Sequence, residues 1–279
     1  MSYVSADLPR GARRTTYEVP GGTLVGAELA PEHSRGTVLL VPGLTGSKED
    51  LAPVVPALAA GGWRVVALDL RGQHESIGPD DPAAYTVDAL AADVLAVAEL
   101  LGAPVHLLGH SFGGLVARAA VLLRPGAFRS LVLLASGPAA LTGPRVDVFA
   151  FLPAVIESGG MAAVADASDA MSDRDGLGQP LPDAVRVFQR VRWLASSPVG
   201  LLAMGEAIST EPDRVDALGA AGVPVLVAHG EADDAWSPAV QADMAQRLGA
   251  SHEVIAGAAH SPAVEQPEAT AKALLAFWA

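Results

Sequence analysis

The stretch Gly109-His110-Ser111-Phe112-Gly113-Gly114 decides the fold of this 279-residue chain. An apolar run over residues 104–108 leads into it, and a helical pattern over residues 111–123 leads out. A serine on such a strand-to-helix turn sits in strained backbone, and side chains at the flanking glycine positions would collide with the neighbouring strand and helix. The stretch therefore predicts a nucleophilic serine that is lifted clear of a β-sheet.

Two later stretches each place a polar candidate just after a strand-like run. Asp233 and Asp234 follow the run over residues 223–227, and His260 follows the run over residues 252–255. A serine hydroxyl needs a base to take its proton, and an imidazole can accept that proton and return it to a leaving group. The glycine-flanked serine motif requires its partners in the chain order serine, carboxylate, histidine, and this chain keeps that order.

Two upstream stretches complete the pattern, namely Val38-Leu39-Leu40-Val41-Pro42-Gly43-Leu44-Thr45-Gly46 and Asp69-Leu70-Arg71-Gly72. With the serine stretch, they make the chain resemble the α/β-hydrolase superfamily over nearly its whole length. Two departures are visible. Pro42-Gly43 stands where this family commonly has His-Gly, and Arg71-Gly72-Gln73-His74-Glu75-Ser76 stands where it has Arg-Gly-His-Gly-x-Ser.

The resemblance implies a catalytic triad of Ser111, Asp233 and His260. Asp233 is favoured over Asp234 because it lies three residues after Gly230, a spacing similar to that of the family. The resemblance also implies that the backbone N–H groups of two residues form the oxyanion hole. These residues are Leu44 and Phe112.

Composition bounds the function classes. Apolar residues make up 51% of the chain, which is ample for a core, and the absence of cysteine excludes disulfides and thiolate chemistry. The net charge of −13 comes from 18 basic and 31 acidic residues, and the scattered basic residues argue against nucleic-acid binding. No signal peptide is readable, and no uninterrupted apolar run approaches the ~20 residues of a membrane span. We expect a soluble cytoplasmic protein.

Hydrophobic patterning predicts an α/β fold with a mostly parallel eight-stranded sheet and helices on both faces, because parallel strands need crossover connections. The predicted strands cover residues 14–19, 23–27, 37–41, 64–70, 104–108, 130–134, 223–228 and 252–255. The predicted core helices cover residues 49–60, 87–101, 111–123, 238–248 and 265–277.

Between residues 139 and 210 the alternation of strand and helix stops. Helix-like segments follow one another there, over residues 146–157, 161–170, 183–195 and 199–208, and residues 173–180 have loop chemistry. We interpret residues 139–210 as a helical cap inserted into a core of residues 1–138 and 211–279, over the strand ends where such sheets place their sites.

The predicted activity is that of a cofactor-independent serine hydrolase, of the carboxylesterase type. We expect a small or medium apolar carboxylic ester, lactone or thioester as the small-molecule substrate, with an acyl-enzyme at Ser111. Peptidase, carbon–carbon hydrolase, perhydrolase and acyltransferase chemistry stay open, as does a non-catalytic ligand receptor. Candidate pocket residues are Trp236, Phe188 and Trp193. The histidines lack metal-ligand spacing, so no metal is expected.

Overall fold

The computed structural model describes residues 8–174 and 182–279. Its sheet has eight strands in the order β1-β2-β4-β3-β5-β6-β7-β8. Strand β2 runs antiparallel to β1 and to β4, and all pairings from β4 to β8 are parallel. The predicted eight-stranded, mostly parallel sheet is confirmed. The strands are β1 (Arg13–Val19), β2 (Gly22–Leu29), β3 (Thr37–Val41), β4 (Arg64–Leu68), β5 (Val105–His110), β6 (Phe128–Leu134), β7 (Val225–Gly230) and β8 (Ser251–Ile255).

Helices cover both faces of this sheet. The α-helices are α1 (Val55–Ala60), α2 (Val87–Leu100), α3 (Phe112–Leu123), α4 (Pro144–Arg174), α5 (Asp183–Ala195), α6 (Pro198–Thr210), α7 (Val215–Ala220), α8 (Pro238–Leu248), α9 (Pro262–Glu265) and α10 (Pro267–Phe277). Side chains alternate between the faces along each strand, so Leu39 joins the core beneath α2 and α3, whereas Leu40 joins the core beneath α1 and α10.

Prolines change two of the predicted helices. Residues 49–60 were predicted as one helix, but Lys48–Val54 form a 3₁₀-helix and only Val55–Ala60 are α-helical. Pro53 lies inside the first segment and lacks the N–H that an α-helix would use. The predicted last helix, residues 265–277, begins instead at Pro267, and the short α9 precedes it. Helix α7 was not predicted.

Between β6 and β7 the described residues form helices α4 to α7, and α4 packs against both α5 and α6 to give one helical layer. Helix α4 joins two of the predicted segments, but Gly159 and Gly160 have non-helical backbone angles between them. The predicted loop over residues 173–180 is wrong at its first two residues, since Asp173 and Arg174 belong to α4, and residues 175–181 lie outside the described residues.

The apolar character of α4 raises the question of membrane crossing. Among the described residues, Arg145–Met171 is the one helix long and apolar enough to span a bilayer, with a mean hydropathy of 1.7. The break at Gly159 and Gly160 divides it into two pieces, and neither reaches the ~20 helical residues that a span needs.

The polypeptide chain leaves the core for the helical layer and returns from it at one place, beside α3. The fully buried Arg118 of α3 donates to the carbonyl oxygens of Gly137 (3.5 Å) and Pro138, where the chain leaves the core. Its other terminal nitrogen lies 3.0 Å from Glu211, where the chain returns. The N–H of Ala140 also donates to the Glu211 carbonyl at 2.7 Å. Arg118 therefore ties both crossings to the helix that follows the serine.

Candidate active site

Ser111 lies on a sharp turn between β5 and α3. Its φ of 54° and ψ of −123° fall in the strained region that disfavours side chains. A Cβ added to Gly109 would lie 2.2 Å from the Gly113 carbonyl oxygen, and one on Gly113 would lie 2.2 Å from the Pro42 carbonyl oxygen. The two glycines thus permit the close packing that holds the serine at the turn.

Three side chains predicted from separate parts of the sequence form a hydrogen-bonded chain. His260, on the loop between β8 and α9, has Nε2 at 3.0 Å from Ser111 Oγ and Nδ1 at 2.9 Å from Asp233 Oδ1. Because a carboxylate only accepts, Nδ1 carries the proton and donates to Asp233. Nε2 is then free to accept the hydroxyl proton of Ser111.

Asp233 is buried on the loop after β7 and accepts two further hydrogen bonds. These come from the backbone N–H of Ala235 at 3.0 Å and from Nε2 of Gln241 at 2.7 Å. Burial alone would raise the pKa of Asp233, but the hydrogen bond and charge of His260 outweigh it and hold that pKa below its usual value. The carboxylate therefore stays ionised beside the imidazole. Sequence reasoning missed Gln241.

The neighbouring carboxylate, Asp234, faces elsewhere. It is exposed and pairs with Arg145 of α4, whose Nη2 lies 2.6 Å from Asp234 Oδ1. The structure thus brings Asp233 to His260 and leaves Asp234 at the surface.

His110 holds the backbone of His260, the expected base. Its Nε2 donates to the backbone carbonyl of His260 at 2.8 Å, and the two ring centroids are 5.2 Å apart. Burial, followed by the nearby His260, lowers the pKa of His110 to about 4. A neutral imidazole therefore fixes the loop that carries the base.

The expected oxyanion loop packs directly against the serine. A Cβ added to Gly43 would lie 3.3 Å from both Ser111 Cβ and His110 Nδ1. Leu44 follows Gly43 and is buried, and Phe112 is the first residue of α3. The structure thus places both expected N–H donors in segments adjoining the hydroxyl.

The three candidate pocket residues have different surroundings. Trp193 borders a small cavity beside Leu44, together with Leu201 and Met204 of α6. Trp236 is buried, lies 6.5 Å from the His260 ring, and donates from Nε1 to the Ala139 carbonyl at 3.2 Å. Phe188 is also buried, with its ring 5.7 Å from the His74 ring. Trp193 thus lies beside the expected oxyanion loop, at a cavity that Ser111 and His260 do not line.

A larger cavity lies away from these residues. It has a volume of about 590 Å³, opens between α4 and α6, and is bordered by apolar side chains such as Phe149 and Leu202. Ser111 and His260 do not line it. Size alone therefore does not make it the reaction site, since the nucleophile and base lie elsewhere.

Glu49, His74 and Glu75 form the group of possible metal ligands within residues 8–174 and 182–279, with ligand atoms inside 4.8 Å of one another. The ammonium of Lys48 already lies 2.9 Å from Glu49 and 2.6 Å from Glu75, and also 2.9 Å from Asp69. Burial alone would lower the pKa of Lys48, but these carboxylates raise it to about 12. The ammonium group of Lys48 therefore supplies the positive charge next to these carboxylates that a bound metal cation would otherwise supply.

Comparison with known proteins identifies the family. The family model for the alpha/beta hydrolase fold matches residues 36–267. The chain belongs to the α/β-hydrolase family. The match covers the serine turn and the loops that carry the carboxylate and the histidine.

Two curated relatives of this α/β-hydrolase also have hydrolase names, but their similarity to this chain covers only part of their length. RutD from Caulobacter segnis, a candidate carbamate hydrolase, is 36% identical over 119 residues, 42% of this chain and 41% of that protein. A serine hydrolase-like protein from Danio rerio is 32% identical over 152 residues, 54% of this chain and 42% of that protein. The chain spans about two fifths of the length of these curated relatives.

A solved structure matches more completely. The enol-lactonase from Burkholderia xenovorans LB400 is 25% identical, with a TM-score of 0.78 over 95% of this chain and 99% of that one. A thermophilic esterase from Thermogutta terrifontis has a TM-score of 0.77 over 96% and 98% of the two chains, and at 24% identity it shows the fold alone.

Proposed function

We propose that this α/β-hydrolase is a cofactor-independent serine esterase that hydrolyses small or medium apolar carboxylic esters, lactones or thioesters. The observation that carries the proposal is the hydrogen-bonded chain from Ser111 through His260 to Asp233, at 3.0 and 2.9 Å. These distances are within the reach that proton transfer to a general base requires.

The reaction proceeds in two steps. Ser111 Oγ attacks the acyl carbon while His260 takes its proton, and the histidine then protonates the departing alcohol or thiol. Water hydrolyses the resulting acyl-enzyme with the same histidine as base. Asp233 keeps the imidazole in the required tautomer and stabilises the imidazolium. The N–H groups of Leu44 and Phe112 stabilise the oxyanion, and the N-terminus of α3 adds a favourable dipole.

Two observations support the proposed substrate class: the apolar side chains beside the expected oxyanion loop, and the relatives. Trp193, Leu201 and Met204 lie beside Leu44 and make the surroundings of that loop apolar. The enol-lactonase supports lactone chemistry, and the serine hydrolase-like protein supports a serine hydrolase. We propose that residues 139–210 act as a cap over the site, since Arg192 of α5 pairs with Asp50 of the core at 2.8 Å.

Labelling with a serine-directed phosphonate tests this proposal. The phosphonate should modify Ser111 alone, and Ser111→Ala should abolish both labelling and turnover of chromogenic esters while the far-UV circular dichroism stays unchanged. Loss of the nucleophile in a comparable triad lowers kcat by roughly 10⁶-fold. Modification of another residue with activity retained would disprove the assignment. Stoichiometric labelling without turnover of any ester in a chain-length panel would indicate a ligand receptor.

A further inference from the structure

The orientation of one peptide bond decides whether Leu44 can serve as an oxyanion donor. In a trans peptide the C=O of one residue and the N–H of the next point in opposite directions. The direction of the Gly43 carbonyl therefore fixes the direction of the Leu44 N–H. Gly43 has no Cβ to resist rotation of this peptide, so its orientation depends on what the carbonyl binds.

Gln73 binds that carbonyl. Its side-chain Nε2 donates to the carbonyl oxygens of Gly43 and Leu44, each at 2.8 Å. The N–H of Gly46 adds a second donor to the Gly43 carbonyl at 3.1 Å. A flipped Gly43–Leu44 peptide would lose both of these hydrogen bonds and would turn the Leu44 N–H towards the Gln73 donor.

The Gln73 amide is itself held in one orientation. Its Oε1 accepts the backbone N–H of Leu70 at 3.0 Å, and only 2% of the residue is exposed. Turning the amide over would place Oε1 against two carbonyl oxygens and would place Nε2 against the N–H of Leu70. Donors and acceptors are therefore matched in one arrangement only.

We propose that Gln73 is a positioning residue that holds the Gly43–Leu44 peptide in the orientation needed for oxyanion binding. This inference rests on the proposed esterase function. It assigns a role to a residue that occupies the place of the histidine in the usual Arg-Gly-His-Gly-x-Ser loop. Gln73 does not touch the substrate in this scheme and acts through the Leu44 N–H.

Two substitutions test the role. Gln73→Met keeps the length of the side chain but removes both donors, and Gln73→Glu keeps its shape but faces the two carbonyls with a carboxylate. Removal of an oxyanion donor costs about 10²–10³-fold in kcat, so partial loss of its orientation should lower kcat about 10–100-fold. The KM for a short ester should change less than about threefold, because ground-state binding does not use the oxyanion hole.

A trifluoromethyl ketone supplies a readout that a purely structural role would not move. The Ser111 oxygen adds to the ketone carbon, its proton passes to His260, and the former carbonyl oxygen becomes an oxyanion. In both variants the affinity for this ketone should weaken in parallel with kcat/KM. The affinity for the parent methyl ketone, which adds serine poorly, should stay within about threefold.

Glu75→Gln is the matched control on the same loop, because it removes a partner of Lys48 and leaves the donors to Gly43 intact. It should lower the melting temperature with little change in kcat. Rates are compared per active site, titrated with the phosphonate, so partial unfolding of a Gln73 variant does not affect them. Unchanged kcat and ketone affinity in titrated Gln73→Met would overturn the inference. An absence of phosphonate labelling in the unmodified protein would instead refute the esterase function.

Discussion

Replacing each of the two adjacent carboxylates, Asp233 and Asp234, tests the triad most sharply. All three groups that bond to the Asp233 carboxylate are donors, namely His260, Ala235 and Gln241. Asparagine offers one acceptor oxygen and one NH₂ group, so in Asp233→Asn a donor must face another donor.

Gln241 cannot relieve this conflict by turning its own amide. Its Nε2 also donates to the Trp236 carbonyl at 2.7 Å, and a turned amide would place Oε1 against that oxygen. The NH₂ group of the introduced asparagine would therefore face either Gln241 or His260. In the second case the imidazole is held in the tautomer that cannot accept the Ser111 proton.

Comparable triads lose about 10⁴-fold in kcat on this substitution, which corresponds to about 5 kcal/mol of transition-state stabilisation. Asp234→Asn should change kcat less than about threefold. It removes only a surface ion pair with Arg145, and such pairs contribute about 0–1 kcal/mol.

The assay is kcat/KM for a short chromogenic ester, with thermal melts to show that both variants fold. A large loss in Asp234→Asn beside near-normal turnover in Asp233→Asn would refute the reasoning. Equal small losses would mean that the orienting carboxylate lies elsewhere in the chain.

Three further predictions concern the cap, the buried histidine and the cap crossings. Trp193→Ala should shift the preferred acyl-chain length or KM more than kcat for short esters, whereas Phe188→Ala should chiefly lower the melting temperature. An acyl-chain preference and a KM that stay unchanged in Trp193→Ala would contradict this prediction. The pKa of His110 is lowered from 6.5 to about 4 by folding, so between these pH values the unfolded chain binds more protons than the folded protein. The free energy of unfolding contributed by the neutral histidine is therefore complete above pH 6.5 and is lost as the pH falls towards 4, by up to about 3 kcal/mol. Urea titrations across this range should show a shallower loss in His110→Asn, and an equal slope would disprove the attribution. Arg118→Met should destabilise the protein in urea titrations, but by less than the ~3–5 kcal/mol of a buried charge left without a partner, because Arg214 still lies 3.0 Å from Glu211. Glu211→Gln in the same chain should recover part of the loss.

The sheet and the serine turn could be predicted because their signals are local. Apolar runs mark each strand, and the glycines around Ser111 mark the turn within six residues. The chain order then indicated where the carboxylate and the histidine would come. Strand ends differ from the predicted ones by about two residues, as at β7, because hydrogen bonds to neighbouring strands set those ends rather than composition.

The supporting contacts could not be predicted, because their partners lie far apart in the sequence. Gln73 bonds to a carbonyl 30 positions away, and Arg118 pairs with a carboxylate 93 positions away. Neither side chain carries a pattern that names its partner. The choice between Asp233 and Asp234 depended on family spacing for the same reason, since both precede the same helix.

The single point at which the chain enters and leaves the helical layer has an evolutionary consequence. One hydrogen bond, from Ala140 to Glu211, joins the two ends of the insertion, so these ends are as close as the ends of a tight turn. A replacement segment of another length can therefore start and end at this junction, but it must also cover the core residues against which Met161, Leu201 and Met204 pack. We expect chimaeras joined at Ala139 and Glu211, with the helical layer of another family member between them, to keep the fold of the core. Recombination could thus exchange substrate preference between relatives while the reaction chemistry is inherited unchanged.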